Sequence, residues 1–234
     1  MIVALALAAA LVAPPVAPPM VPDGRLIADD AACYTIAMTR DGVTRPMGVT
    51  WQTITQARQD GRAVLKVVVH QRIAGGAFDM EDRFVLDAAT LRPIQFDNFR
   101  KGQPHVSLRY GATRIEGEIH EPQGVRAISE PLSGPVWEGN LFGVLFAALP
   151  LEAGAELSVP TYQYDRGFGA LTLKVKGLET VATPEGPVEA WVVDAGSSAE
   201  RRADYLISRA PRRELGYRAP QGGQTLGGDC SALR

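Results

Sequence analysis

The sequence predicts a mainly β fold: a long curved antiparallel sheet or half-barrel, built as a meander, with one short buried helix near residues 140–149. Three observations carry that expectation. Turn signals recur about every ten residues between alternating apolar and polar runs, which is the spacing of hairpins and not of βαβ units. A segment of one form occurs twice, as FVLDAATLRPIQF at Phe84–Phe96 and as YLISRAPRRELGY at Tyr205–Tyr217. Each has an aromatic start, an alternating run, a small polar break and a second run restarting on an Arg and an apolar residue, the form of two strands joined by a tight turn. A single stretch, Asn140–Leu149 (NLFGVLFAAL), is apolar nearly all round and so predicts a helix buried on most sides.

Taken in order, residues 1–22 carry no charge. Met1–Ala13 is an apolar run shorter than the roughly 20 residues that span a bilayer, and it ends in small residues and Pro14, Pro15, Pro18 and Pro19. That is the form of a signal peptide's apolar region and exit, although a positive n-region is missing. A buried N-terminal helix is the alternative, but proline at this density stops a helix. The expectation is a signal peptide at 1–17, cleaved after Ala13 or Ala17, a Pro-rich extended linker at 18–32, and a single β-rich domain at 33–234.

Cys33–Arg40 reads as a strand, and Asp41–Gly42 as a turn. Arg45–Arg58 follows, with Met47, Val49 and Trp51 on one face and Gly48, Thr50 and Gln52 on the other. After Asp60–Gly61, Arg62–Ile73 is the most β-prone run in the chain. Gly75–Gly76 breaks it; Met80–Asp87 and Leu91–Phe99 form the first twin hairpin; Lys101–Gly102 and Gly111–Ala112 then separate His105–Tyr110 from Thr113–His120. The helix follows Pro131 and Pro135, with Asn140 as its N-cap, and stops at Pro150. Strands resume at Glu156–Tyr164, Ala170–Thr180, Gly186–Ala195, Arg202–Ser208 and Arg212–Arg218, and the glycine-rich tail from Ala219 reads as loop.

The two cysteines, Cys33 and Cys230, lie near the ends of the expected mature chain. In an oxidising compartment they predict one disulfide, worth about 4–5 kcal/mol on the chain-entropy model. The alternative is two buried free thiols.

A net charge of −2 with only Arg201–Arg202 and Arg212–Arg213 clustered gives no basic stripe for nucleic acid. His70, His105 and His120 are far apart in sequence, without the close ligand pair of a zinc site. No G-x-S-x-G elbow occurs, and Gly222–Gly223 and Gly227–Gly228 lack the strand-to-helix setting of a phosphate loop. No catalytic residue, cofactor or metal is therefore predicted, and after removal of the signal no span crosses a membrane. The one candidate site is an apolar cleft between helix and sheet, lined by Leu141, Phe142, Leu145 and Phe146 with Trp51 and Trp191. The same residues would equally serve as plain core.

Five stretches carry a resemblance: FVLDAATLRPIQF, YGATRIEGE at Tyr110–Glu118, LFAALPLEAGAELSVPTY at Leu145–Tyr162, LKVKGLETVATPEGPVEAWVV at Leu173–Val193 and YLISRAPRRELGYR at Tyr205–Arg218. In that order and spacing they resemble a bacterial envelope family catalogued as domain of unknown function 3108. More distantly, the layout is similar to the half-barrel of periplasmic lipoprotein carriers. The resemblance implies a β-rich, periplasmic or secreted protein of the bacterial cell envelope with no assigned activity. The expected function is non-catalytic binding of a lipid or other apolar envelope component. The alternatives are a cell-envelope scaffold or protein-interaction module, and, third, a hydrolase built around His70 or His105.

Overall fold

The structure, a computed structural model, describes residues 20–234. The expected signal peptide at 1–17 lies outside the described residues. Eight strands step outward from the N-terminus: β1 (Asp30–Arg40), β2 (Val43–Gln59), β3 (Arg62–Ile73), β4 (Phe78–Asp87), β5 (Pro93–Arg100), β6 (Gln103–Tyr110), β7 (Arg114–Glu121) and β8 (Gly124–Pro131). The chain then crosses over through β9 (Trp137–Glu138) and α1 (Phe142–Ala147). It meanders back along β10 (Glu156–Gln163), β11 (Gly167–Thr183), β12 (Gly186–Gly196), β13 (Arg202–Ser208), β14 (Glu214–Ala219) and β15 (Gly222–Leu226). Strand β15 pairs with β1, so all fifteen strands form one sheet with β8 and β9 at its edges. The sheet is not closed, and the expected mainly β half-barrel with one helix is what the chain forms.

The turns follow their sequence signals. Asp41–Gly42, Asp60–Gly61 and Lys101–Gly102 all have positive φ at both central positions, the two-residue geometry that matches strand twist. Strand β15 was not expected, because glycines weaken a strand. Here they permit one: a Cβ at Gly222 would lie 2.2 Å from the Ala37 carbonyl oxygen, so only glycine lets the last strand close against β1.

The interior is one apolar core. Phe84, Phe96 and Leu108 from one wall and Val159, Leu173 and Val193 from the other enclose Leu145, Phe146 and Leu149 of the crossover. Three expectations are corrected here. The linker at 18–32 is part of the fold from Met20 onward: the Asp23 N–H donates to the Ala148 carbonyl at 2.8 Å, Ile27 joins the core and β1 begins at Asp30. Asn140 does not cap the helix, whose cap position is Leu141 without a side-chain bond; the Asn140 amide donates to Glu138 instead. On β2 the inner residues are Thr50, Gln52 and Ile54, so Trp51 points to the outer face, where the Arg234 guanidinium lies 4.6 Å from its ring centre. The interior beside β2 is polar, which inverts the usual pattern. The expected disulfide joins Cys33 to Cys230, with Cα atoms 5.8 Å apart, and holds the tail against that outer face.

Candidate functional site

Leu141, Leu145 and Phe146 come together, but as core: Phe146 has no exposed surface and Leu145 is 1% exposed. Trp191 packs against the same core from β12. Trp51, on the opposite face, does not join them. Leu141 and Phe142 both border open space, and that space has a mixed polar and apolar lining where an apolar cleft is expected. It is a pocket of about 170 Å³ whose other walls include Tyr34, Thr50, Gln52, Gln71, Tyr205, Glu214, Tyr217 and Gln224.

Each strand contributes by alternation. Tyr34 of β1, Thr50 and Gln52 of β2 and Gln224 of β15 are buried, inward-facing positions. The Tyr34 hydroxyl donates to the Glu214 carbonyl at 3.1 Å and so fixes the end of β14. A register shift between Leu206 and Ile207 sets Glu214 opposite Ile207. Leu215 then packs in a small separate cluster with Leu206 and Val192, and Glu214 turns toward α1. A Cβ at position 143 would lie 1.8 Å from Glu214 Oε2, so Gly143 makes room for that carboxyl against the helix backbone. The rings of Phe142 and Tyr205 stack at 5.9 Å, and Tyr205 meets Tyr217 at 5.4 Å.

Burial pushes the Glu214 carboxyl up to about 7, and no donor or cation pulls it back. Two other interior acids behave differently. Glu138 is raised by burial to about 8, yet it accepts from the Tyr110 hydroxyl, the Asn140 amide at 2.9 Å and the Asn140 N–H at 3.3 Å. Asp82 is raised by burial to about 6 and accepts from the Asn98 amide at 2.6 Å. Those two acids are satisfied within the fold, Glu138 across the interior by Tyr110 and Asp82 by Asn98 of the adjacent strand.

A larger groove of about 780 Å³ opens at the rim, lined by Arg100, His105, His120, Glu121, Arg126 and Tyr164 among others. Its charges are partly spent on pairing: Arg126 lies 3.7 Å from Glu121 within it, and His120 lies 3.0 Å from Glu118 outside it. Its size therefore says less than the convergence of groups in the inner pocket. His70 Nε2 sits 2.9 Å from Asp79, and its Nδ1 lies 3.7 Å from Glu81, beyond hydrogen-bond length. Among the described residues, no group of three His, Cys, Asp or Glu could hold a metal ion, and no helix is long and apolar enough to cross a membrane.

Sequence reasoning missed Tyr34, Gln52, Gln71, Glu138, Glu214 and Gln224. The one available signal was an acid set within apolar company, as in Trp137–Glu138 and in the second twin segment.

Residues 33–220 match the family model described as Protein of unknown function (DUF3108), and the chain belongs to that family. No curated protein matches. Among solved structures, the chain is similar to a beta-barrel-like protein of domain of unknown function DUF1849 from Brucella abortus. The two are 10% identical, with a TM-score of 0.49 and 89% of this chain and 95% of that chain covered.

Proposed function

We propose that this member of the DUF3108 family is an exported, non-catalytic binding protein of the bacterial cell envelope, and that its ligand is small and polar and sits beside α1. One observation carries the reading: the Glu214 carboxyl borders an inner pocket with no partner of its own, while aromatic rings and neutral amides converge around it. A volume of about 170 Å³ corresponds to about five or six water molecules, below the range of roughly 300–1,000 Å³ for drug-sized ligands. Export is supported by the form of Met1–Ala17 and by the Cys33–Cys230 disulfide, since such bonds persist in oxidising compartments.

A lipid is the ligand class that the sequence suggests. Its acyl chains would compete for the space that Leu141, Leu145 and Phe146 already fill, so a lipid requires the walls to part. A protein-interaction role has one observation in its favour: β8 is an edge strand with Val125 60% exposed. Native mass spectrometry of protein recovered from the periplasm tests these readings together. A bound mass of small-molecule size, lost in Glu214→Gln, is expected. A long-chain lipid adduct, or a chain retained in the cytoplasm, would overturn the proposal.

A further inference from the structure

We propose that the pocket beside α1 is an organic-cation site, taking a small alkylammonium group against the Glu214 carboxylate and the rings of Tyr205, Tyr217 and Phe142. This rests on the binding reading above and adds the chemical class of the ligand.

The argument begins with what Glu214 lacks. An ionised carboxylate only accepts hydrogen bonds, so a buried one needs donors or a cation. The chain supplies donors to its other interior acids, Asn98 to Asp82 and Tyr110 with Asn140 to Glu138. Among the described residues it supplies none to Glu214. Of the two neighbouring cations, Arg213 is committed elsewhere, 3.9 Å from Asp30 and 2.9 Å from Glu185, and Arg212 makes no ion pair with Glu214. The helix contributes only the bare backbone of Gly143 at this point.

The remaining walls fit a cation. Aromatic faces are electronegative and attract ammonium groups, more strongly where water is excluded. Phe142 and Tyr205 lie within 24° of parallel, and Tyr217 extends the same row of rings. Gln52, Gln71 and Gln224 offer neutral carbonyl acceptors, and the Thr50 hydroxyl is buried without a partner. An anion would meet Glu214 head on. A neutral ligand could satisfy the carboxylate only through a hydrogen-bond donor, as Asn98 does for Asp82, and would leave its charge unbalanced.

Proton linkage follows. The titratable groups facing Glu214 are Tyr34 from β1, Tyr205 from β13 and Tyr217 from β14, with the Asp30–Arg213 pair beyond; α1 presents none. Burial raises all three tyrosines, so they stay neutral at physiological pH. A cation thus competes with a single proton on Glu214.

The test is calorimetric titration of the mature protein with choline, trimethylammonium and putrescine. The uncharged isostere of choline, 3,3-dimethylbutan-1-ol, and acetate serve as controls. At least one ammonium probe is expected to bind ten or more times tighter than the alcohol, with affinity rising about tenfold between pH 6 and 8 as Glu214 ionises. Glu214→Gln should abolish that preference, and the pH series on unaltered protein decides the matter if the variant fails to fold. Equal binding of choline and the alcohol, or tighter binding of acetate, overturns the cation class while leaving a polar binding site. Crystals soaked in all five probes that show only water in the pocket overturn both readings.

Discussion

The two twin hairpins are built on one plan and serve two ends. In β4–β5, Phe84 stands opposite Phe96 with ring centres 5.1 Å apart, and both are lost to solvent. In β13–β14, Tyr205 stands opposite Tyr217 at 5.4 Å, and both border the inner pocket. Each hairpin also carries an inward acid. Asp82 faces Asn98 across the strands and takes its amide hydrogen bond. Glu214 faces Ile207 and takes nothing. The difference teaches that a buried acid is not by itself a functional mark. An acid to which the fold brings a donor belongs to the structure, and one left without a donor is available to a ligand.

Four changes would break or sharpen that contrast. The largest is removal of the disulfide. Cys33→Ala with Cys230→Ala frees a loop of 197 residues and should lower unfolding free energy in urea by about 5 kcal/mol on the chain-entropy model. The tie lies on the outer face, so the stability gap between variants of the two hairpins should not change. Next, Asn98→Ala leaves Asp82 buried without a donor and should cost about 2–3 kcal/mol. Glu214→Gln, which strands no donor, should stay within about 1 kcal/mol of the parent or exceed it. Equal losses in the two variants would make Glu214 structural and dissolve the contrast.

The pH dependence is a second axis of the same contrast and no smaller, since each unit of raised pKa corresponds to about 1.4 kcal/mol. Asp82, Glu214 and Glu138 titrate near 6, 7 and 8 when folded, above the ordinary carboxylate range. The folded chain therefore holds protons that the unfolded chain has already released. Their contribution is fully present below the unfolded values and is lost as pH rises through the folded ones. Thermal unfolding between pH 4 and 9 should show stability falling from about pH 4 and the fall easing as pH passes each folded value in turn, with Glu214→Gln deleting the part of the fall that ends near 7. The smallest effect is on the outer face: Arg234→Ala removes the cation over Trp51 and should cost about 0.5–1 kcal/mol, with ligand binding untouched.

Much of the fold was legible in the sequence because its signals are local. Asp–Gly turns, alternating strands and an all-apolar helix each declare themselves within about ten residues. The disulfide was legible from two cysteines placed near the two ends of the expected mature chain. The site was not, for a physical reason. Around β2 the interior is polar, so Thr50 and Gln52 face inward while Met47 and Trp51 face out, and hydrophobic alternation pointed to the wrong side. The closure of β15 on β1 depends on a pairing between distant residues, and the register shift that turns Glu214 inward is a bulge within its own hairpin. Composition holds no trace of either.

The central claim is that Glu214 is a half-buried, desolvated carboxyl without a hydrogen-bond partner among the described residues. Carbon-13 NMR titration of the glutamate side-chain carboxyls, with Glu214 assigned through Glu214→Gln, measures that directly. The expected midpoint in the unliganded protein is about 7, moving down when an ammonium ligand is added. A midpoint at the ordinary value near 4.5, indifferent to ligand, would mean that water or an unseen donor already satisfies the group, and would contradict the assignment of the pocket.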